Sequence, residues 1–127
     1  MKKLNKKRIS IVISVFLMMF SIGSVYALSH SEVTLYMGKS SAETESVGLS
    51  KSANFKITTY SSSKAPTNAA VYACWSGLPY SLEQNRVVPI GQTWEGREPQ
   101  DYDSNFYVKL WAMNSNKTHS YGYIVAN

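Results

Sequence analysis

Cysteine occurs once in this 127-residue chain, histidine twice and proline four times. A lone cysteine excludes an internal disulfide, so a small domain of this sequence must be stabilised by its core. One cysteine and two histidines also leave a four-ligand structural zinc site short of ligands. No Gly-x-Ser-x-Gly elbow is present, which removes the nucleophile of an α/β-hydrolase. Cys74 and His119 form the nominal thiol–base pair, but Cys74 lies in the apolar run Ala70-Val-Tyr-Ala-Cys-Trp75. There it is expected to be a buried small hydrophobe with no charge to activate it. Glu95 with Asp101 or Asp103 would need a flanking cleft to hydrolyse a glycosidic bond, and a domain of 100 residues offers little surface for one. These absences point to a protein without enzymatic activity.

Basic charge is also scarcer than the total suggests. The chain has thirteen Lys and Arg against eight Asp and Glu, a formal charge of +5. Five of the thirteen (Lys2, Lys3, Lys6, Lys7 and Arg8) precede an apolar run from Ile9 to about Phe20 and a small-residue tail ending Val25-Tyr-Ala27. A basic head, an apolar middle and a small-residue tail make the pattern of a secretory signal peptide, with cleavage expected after Ala27. Ser10, Ser14, Ser21, Gly23 and Ser24 dilute the run, which favours cleavage over a retained anchor. No cysteine follows to be acylated, and no later stretch is apolar enough to span a bilayer. Residues 28–127 then hold eight basic and eight acidic side chains and are neutral. Their lysines and arginines are scattered singly, whereas a nucleic-acid binder needs a stripe of them. The expected location is secreted and extracellular, without a nucleic-acid partner.

What the exported part does contain is alternation of period two. Val33, Leu35 and Met37 share one side of the first burst, and Phe55, Ile57 and Thr59 one side of another. The cleanest strand is Asn105–Met113, where Phe106, Val108, Leu110 and Ala112 alternate with Tyr107, Lys109, Trp111 and Met113. Asn68–Trp75 is apolar on both sides, and Arg86–Ile90 carries Pro89, which suits a sheet edge or bulge. A short strand is expected near Val47 and Leu49, and one helical turn is open for Ser81–Asn85. Turn formers separate the bursts, including Ser76-Gly-Leu-Pro79, Gly96–Asp103 and Asn114-Ser-Asn-Lys117. The last is expected to close a hairpin between 105–113 and Tyr121–Val125. Together these features predict an all-β fold: a single small antiparallel β-sandwich, Ig-like or jelly-roll-like, of six to seven short strands, following the signal-peptide helix.

Two clusters invite a ligand. Asp101-Tyr-Asp103-Ser-Asn105 copies the first three ligand positions of a calcium loop, but Phe106 replaces the glycine and Ala112 the final glutamate. Calcium is therefore the one cofactor to consider, and a solvated acidic loop is the plainer expectation. The aromatic content is the stronger signal, with three tryptophans and eight tyrosines from Tyr36 to Tyr123. If Phe106, Val108 and Leu110 pack inward, Tyr107 and Trp111 stand outward on either side of Lys109. Such a stripe, Tyr107, Lys109 and Trp111 together with Tyr121 and Tyr123, either binds a ligand or, as cross-strand aromatic pairs, stabilises the sheet.

The segment Val108-Lys-Leu-Trp-Ala-Met-Asn114, closed by Tyr121-Gly-Tyr123, resembles the C-terminal part of a family of small exported Gram-positive β-rich proteins of unknown function. In that family a Leu-x-Ala-x-Asn strand precedes a Gly-aromatic strand, and some members are encoded beside bacteriocin-type transporters. The resemblance implies a secreted non-enzymatic protein linked to antimicrobial peptide systems and transfers no functional residues. The expected partner is an extracellular protein or a cell-surface component. The alternatives are a small carbohydrate- or cell-wall-binding module stacking on Tyr107 and Trp111, and an antimicrobial protein acting on membranes.

Overall fold

A computed structural model describes residues 28–127. The expected signal peptide and its cleavage after Ala27 lie outside the described residues. Seven strands follow one another: β1 (His30–Leu35), β2 (Ser41–Glu43), β3 (Val47–Thr59), β4 (Thr67–Trp75), β5 (Ser81–Val88), β6 (Thr93–Ala112) and β7 (Ser120–Ala126). All pairings between them are antiparallel. The order is β1-β7-β3-β6-β4-β5, with β2 also on β6.

The long strand β6 turns this single sheet into two layers. Its first part, Thr93–Pro99, pairs with β3 from Ser52 onward, and its second part, Ser104–Ala112, pairs with β4 and, at Ser104 and Phe106, with the start of β3. Residues 100–103 have no register partner on either neighbour and form the corner. One layer is thus β1, β7, the longer second part of β3 and the start of β6, and the other is β2-β6-β4-β5 with the first residues of β3. Gly122 shows that the layers face each other. A Cβ built there on β7 would lie 3.2 Å from Val108 Cγ1 and 3.4 Å from Leu110 Cδ1 on β6, a strand to which β7 is not paired.

The core fills the space between the layers. Leu35, Ala53, Phe55, Ile57 and Ile124 come from the first layer, and Ala69, Val71, Phe106, Val108 and Leu110 from the second. These are the inward positions that period-two alternation assigns. One end of the sandwich is closed by hydroxyls instead. Thr59 and Thr67 join Oγ1 to Oγ1 at 2.6 Å, and Thr118 Oγ1 donates to the Pro66 carbonyl at 2.7 Å. These bonds satisfy backbone and side chains where the connections after β3 and β6 cross.

Several expectations change. The sandwich is all-β and antiparallel as predicted, but β3 and β6 are long, with 13 and 20 residues. Gly96–Asp103 is not a turn between strands, because β6 bends there while its backbone stays extended. Ser81–Asn85 is strand, not helix. Asn114-Ser-Asn-Lys117 does not close a hairpin, since β6 and β7 lie in different layers. It is a tight left-handed connection, with φ of 52°, 61° and 63° at Asn114, Ser115 and Asn116. Asparagine is among the few residues at ease there. Met37 lies beyond the end of β1 and is exposed. Cys74 occupies an outward position on β4 and is half-buried, not buried. Among the described residues no helix is long and apolar enough to cross a membrane.

Candidate functional site

Alternation on β4 and β6 turns a set of large polar-tipped rings away from the core. Tyr72 and Tyr107 are register partners, and their rings stack with centroids 4.8 Å apart. Trp111 leans on Tyr72 at 6.5 Å, and Lys109 Nζ lies 5.0 Å above the indole, a cation–π contact. Tyr80, from the turn before β5, meets Tyr107 edge-on at 4.7 Å. Its hydroxyl is hydrogen-bonded to Ser46. Burial pushes the Tyr80 and Tyr107 phenols above the ordinary tyrosine range. Both therefore remain neutral and can donate or accept at physiological pH.

Beside the rings, Glu43, Glu45, Ser46, Tyr80 and Tyr107 border an open groove of about 560 Å³. The result is a four-ring cluster rimmed by carboxylates and a lysine, partly exposed and outside the core. Cross-strand aromatic pairs stabilise a sheet by a few tenths to about 1 kcal/mol each. That accounts for the contact between rings but leaves their exposed edges unused.

The expected ligand residues divide between the two layers. Tyr107, Lys109 and Trp111 lie together on this face, whereas Tyr121 and Tyr123 project from β7 on the outer side of the opposite layer. Pairing between the two sets is therefore ruled out by topology. Tyr121 donates its hydroxyl proton to Glu32 Oε2 at 2.5 Å, and that bond holds its pKa up at about 12. Tyr123 stands beside His30, ring centres 6.3 Å apart. Lys56 and Glu95 form an ion pair at 3.5 Å on the same face.

Asp101 and Asp103 are exposed in the β6 corner, and Asn105 continues along the strand. Extended backbone spreads these side chains along a line, whereas a calcium loop wraps its ligands around a point. Among the described residues no group of three His, Cys, Asp or Glu is placed to hold a metal ion. Tyr72 and Tyr80 are the ring residues that the sequence reading missed. Tyr72 was legible, since it alternates with Val71 and Ala73 on a strand. Tyr80 was not, because its place depends on the β4–β5 turn folding back.

No family model matches the chain, and no curated protein does. Among solved structures, PirA is 13% identical, with a TM-score of 0.46 over 80% of this chain and 95% of its own. The Yersinia pseudotuberculosis-derived mitogen is 8% identical, with a TM-score of 0.45 over 77% of this chain and 84% of its own. TmCBM61, solved in complex with beta-1,4-galactotriose, is 12% identical, with a TM-score of 0.46 over 74% and 66%. Likenesses this distant bear on neither the activity nor the ligand of this chain.

Proposed function

We propose that this is a secreted, non-enzymatic bacterial protein that binds an extracellular protein or cell-surface component through the outer face of the β2-β6-β4-β5 layer. The observation that carries the reading is the outward cluster of Tyr72, Tyr80, Tyr107 and Trp111 with Lys109 over the indole. Tyrosine, tryptophan and their polar tips are the groups that dominate protein recognition sites. Tyr72 and Tyr107 spend one ring face on each other, so the cluster offers edges and hydroxyls more than open planes. This favours a contoured protein surface over a flat sugar ring at this face. Secretion rests on the tripartite N-terminus, and the link to antimicrobial peptide systems rests on the resemblance of residues 108–123.

The test is binding of the labelled exported protein to intact Gram-positive cells, to cells shaved with protease, and to phospholipid vesicles. Saturable binding to intact cells that protease removes, and that Tyr72→Ala with Trp111→Ala weakens at least about tenfold, supports the reading. Binding to vesicles of equal strength, or full binding by the double variant, rejects it.

A further inference from the structure

We propose a second, separate binding site: the cleft beside Trp75, at the open end of the sandwich, takes a single sugar ring bearing adjacent hydroxyls. The cleft lies where the β4–β5 turn meets the corner of β6. Trp75, Leu78, Pro79, Ser81, Glu83 and Gln100 line most of it, and its volume is about 280 Å³. That size is at the lower end of ligand pockets and suits one ring.

Its wall is apolar and partly aromatic. Trp75, the last residue of β4, is 39% exposed, and Leu78, in the turn that follows, is 55% exposed. The indole is also fixed in place. Its Nε1–H donates to Gln100 Oε1 at 3.1 Å, and Tyr102 packs against it edge-on at 4.8 Å. The orientation of Gln100 is set in turn from below, because its Nε2 donates to Glu98 Oε2 at 2.8 Å. Gln84 Nε2 donates to the other Glu98 oxygen at 2.8 Å. Glu98 is only 7% exposed, so a buried carboxylate, two amides and an indole form one chain of hydrogen bonds behind the cleft. An aromatic wall held this way loses little freedom when a ligand arrives. Glu98 is a positioning residue.

The rim decides the class of ligand. Glu83 Oε1 accepts from the Ser81 hydroxyl at 2.5 Å, and among the described residues its second oxygen takes no hydrogen bond. Gln100 has a second amide N–H beyond the one given to Glu98. A carboxylate alone would suit a cation, but the amide donor beside it would then have no partner. A hydroxyl group satisfies both, donating to Glu83 and accepting from Gln100. Among the described residues no lysine, arginine or histidine lines the cleft, which disfavours an anion. The C–H face of a sugar supplies the apolar surface that Trp75, Leu78 and Pro79 can cover.

Isothermal titration of the whole protein with glucose, galactose, N-acetylglucosamine and their short β-linked oligomers tests this, alongside capture on insoluble peptidoglycan. At least one sugar should bind saturably. Trp75→Ala should abolish binding, and Glu83→Gln should weaken it about tenfold, as loss of a charged hydrogen-bond acceptor does. Lys56→Ala, on the far layer, should bind as the wild type does, and circular dichroism establishes that each variant is folded. Binding of free sugars identifies a soluble glycan as sufficient. Capture on peptidoglycan alone, lost in Trp75→Ala, assigns the site to the wall polymer. Absence of all binding, or binding unchanged by both Trp75→Ala and Glu83→Gln, overturns the proposal. Neither result touches the aromatic face, which is read by protease-sensitive cell binding.

Discussion

Tyr72 and Tyr107 stand ring to ring across the β4–β6 pair, their planes 7° from parallel. Their stacking joins two otherwise separate features of the outer face, Trp111 on one side and Tyr80 on the other. If the pair acts as a unit, removing either ring should cost nearly as much as removing both. A double-mutant cycle of Tyr72→Ala and Tyr107→Ala in urea denaturation should give a coupling of about 0.5–1.5 kcal/mol. Strictly additive losses would mean that the rings only lie side by side.

Ser120 presents the opposite situation. It is fully buried on β7, and its Oγ is the one buried side-chain polar atom without a hydrogen-bond partner among the described residues. The neighbouring hydroxyls of Thr59, Thr67 and Thr118 are all engaged. Deleting an unsatisfied buried hydroxyl, so that only the methyl of alanine remains, removes a desolvation cost. Ser120→Ala should therefore stabilise the fold by about 1 kcal/mol, raising Tm by roughly 4–8 °C for a domain of this size. A lower Tm would show that the hydroxyl is satisfied after all.

These two positions also mark how far the sequence alone could lead. Phe106, Val108 and Leu110 alternate so regularly that the inward face of β6, and hence the outward place of Tyr107, Lys109 and Trp111, was legible. Alternation is a local property, however, and says nothing about which layer a strand joins. A short polar link usually closes a hairpin, which would set Tyr121 and Tyr123 beside that stripe. In the fold the left-handed Asn114–Asn116 turn instead carries the chain across the core. Gly96, Pro99 and Asp101 likewise have turn composition, and they do produce a bend, but one inside β6. The Trp75 cleft was illegible for a related reason. It depends on Gln84, Glu98 and Gln100, which come from two strands and meet only when the layers close.

Gly96 reports on how tightly the core is packed within one layer. Paired with Phe55, it leaves room for the phenyl ring, and an added Cβ would meet Phe55 Cζ at 2.5 Å. The ring cannot easily retreat, since Trp94 packs edge-on against it at 4.7 Å. Gly96→Ala should cost about 1–3 kcal/mol, the usual effect of overfilling a packed core. Thermal melting measures this, and an unchanged Tm would mean that the ring has slack. Combining it with Phe55→Leu should recover part of the loss by giving the new methyl room.

Tyr121 supplies the pH test. Its hydrogen bond to Glu32 raises the phenol to about 12 from an ordinary 10.0. The folded state therefore holds the proton more tightly than the unfolded chain does. The stabilisation is fully present below pH 10, and it is lost as the pH rises towards 12. Because both side chains lie on the outer face of the β1–β7 pair, solvent screens the bond and the effect on stability is modest. Its spectroscopic signature is clearer. Absorbance at the phenolate band should show a step near pH 12, and that step should vanish in Tyr121→Phe. In Glu32→Gln the carboxylate is gone but an acceptor remains, so the step should move back towards the ordinary range without disappearing. An unaltered late step in both variants would assign it to another residue, with Tyr80 and Tyr107 on the opposite face the first to examine.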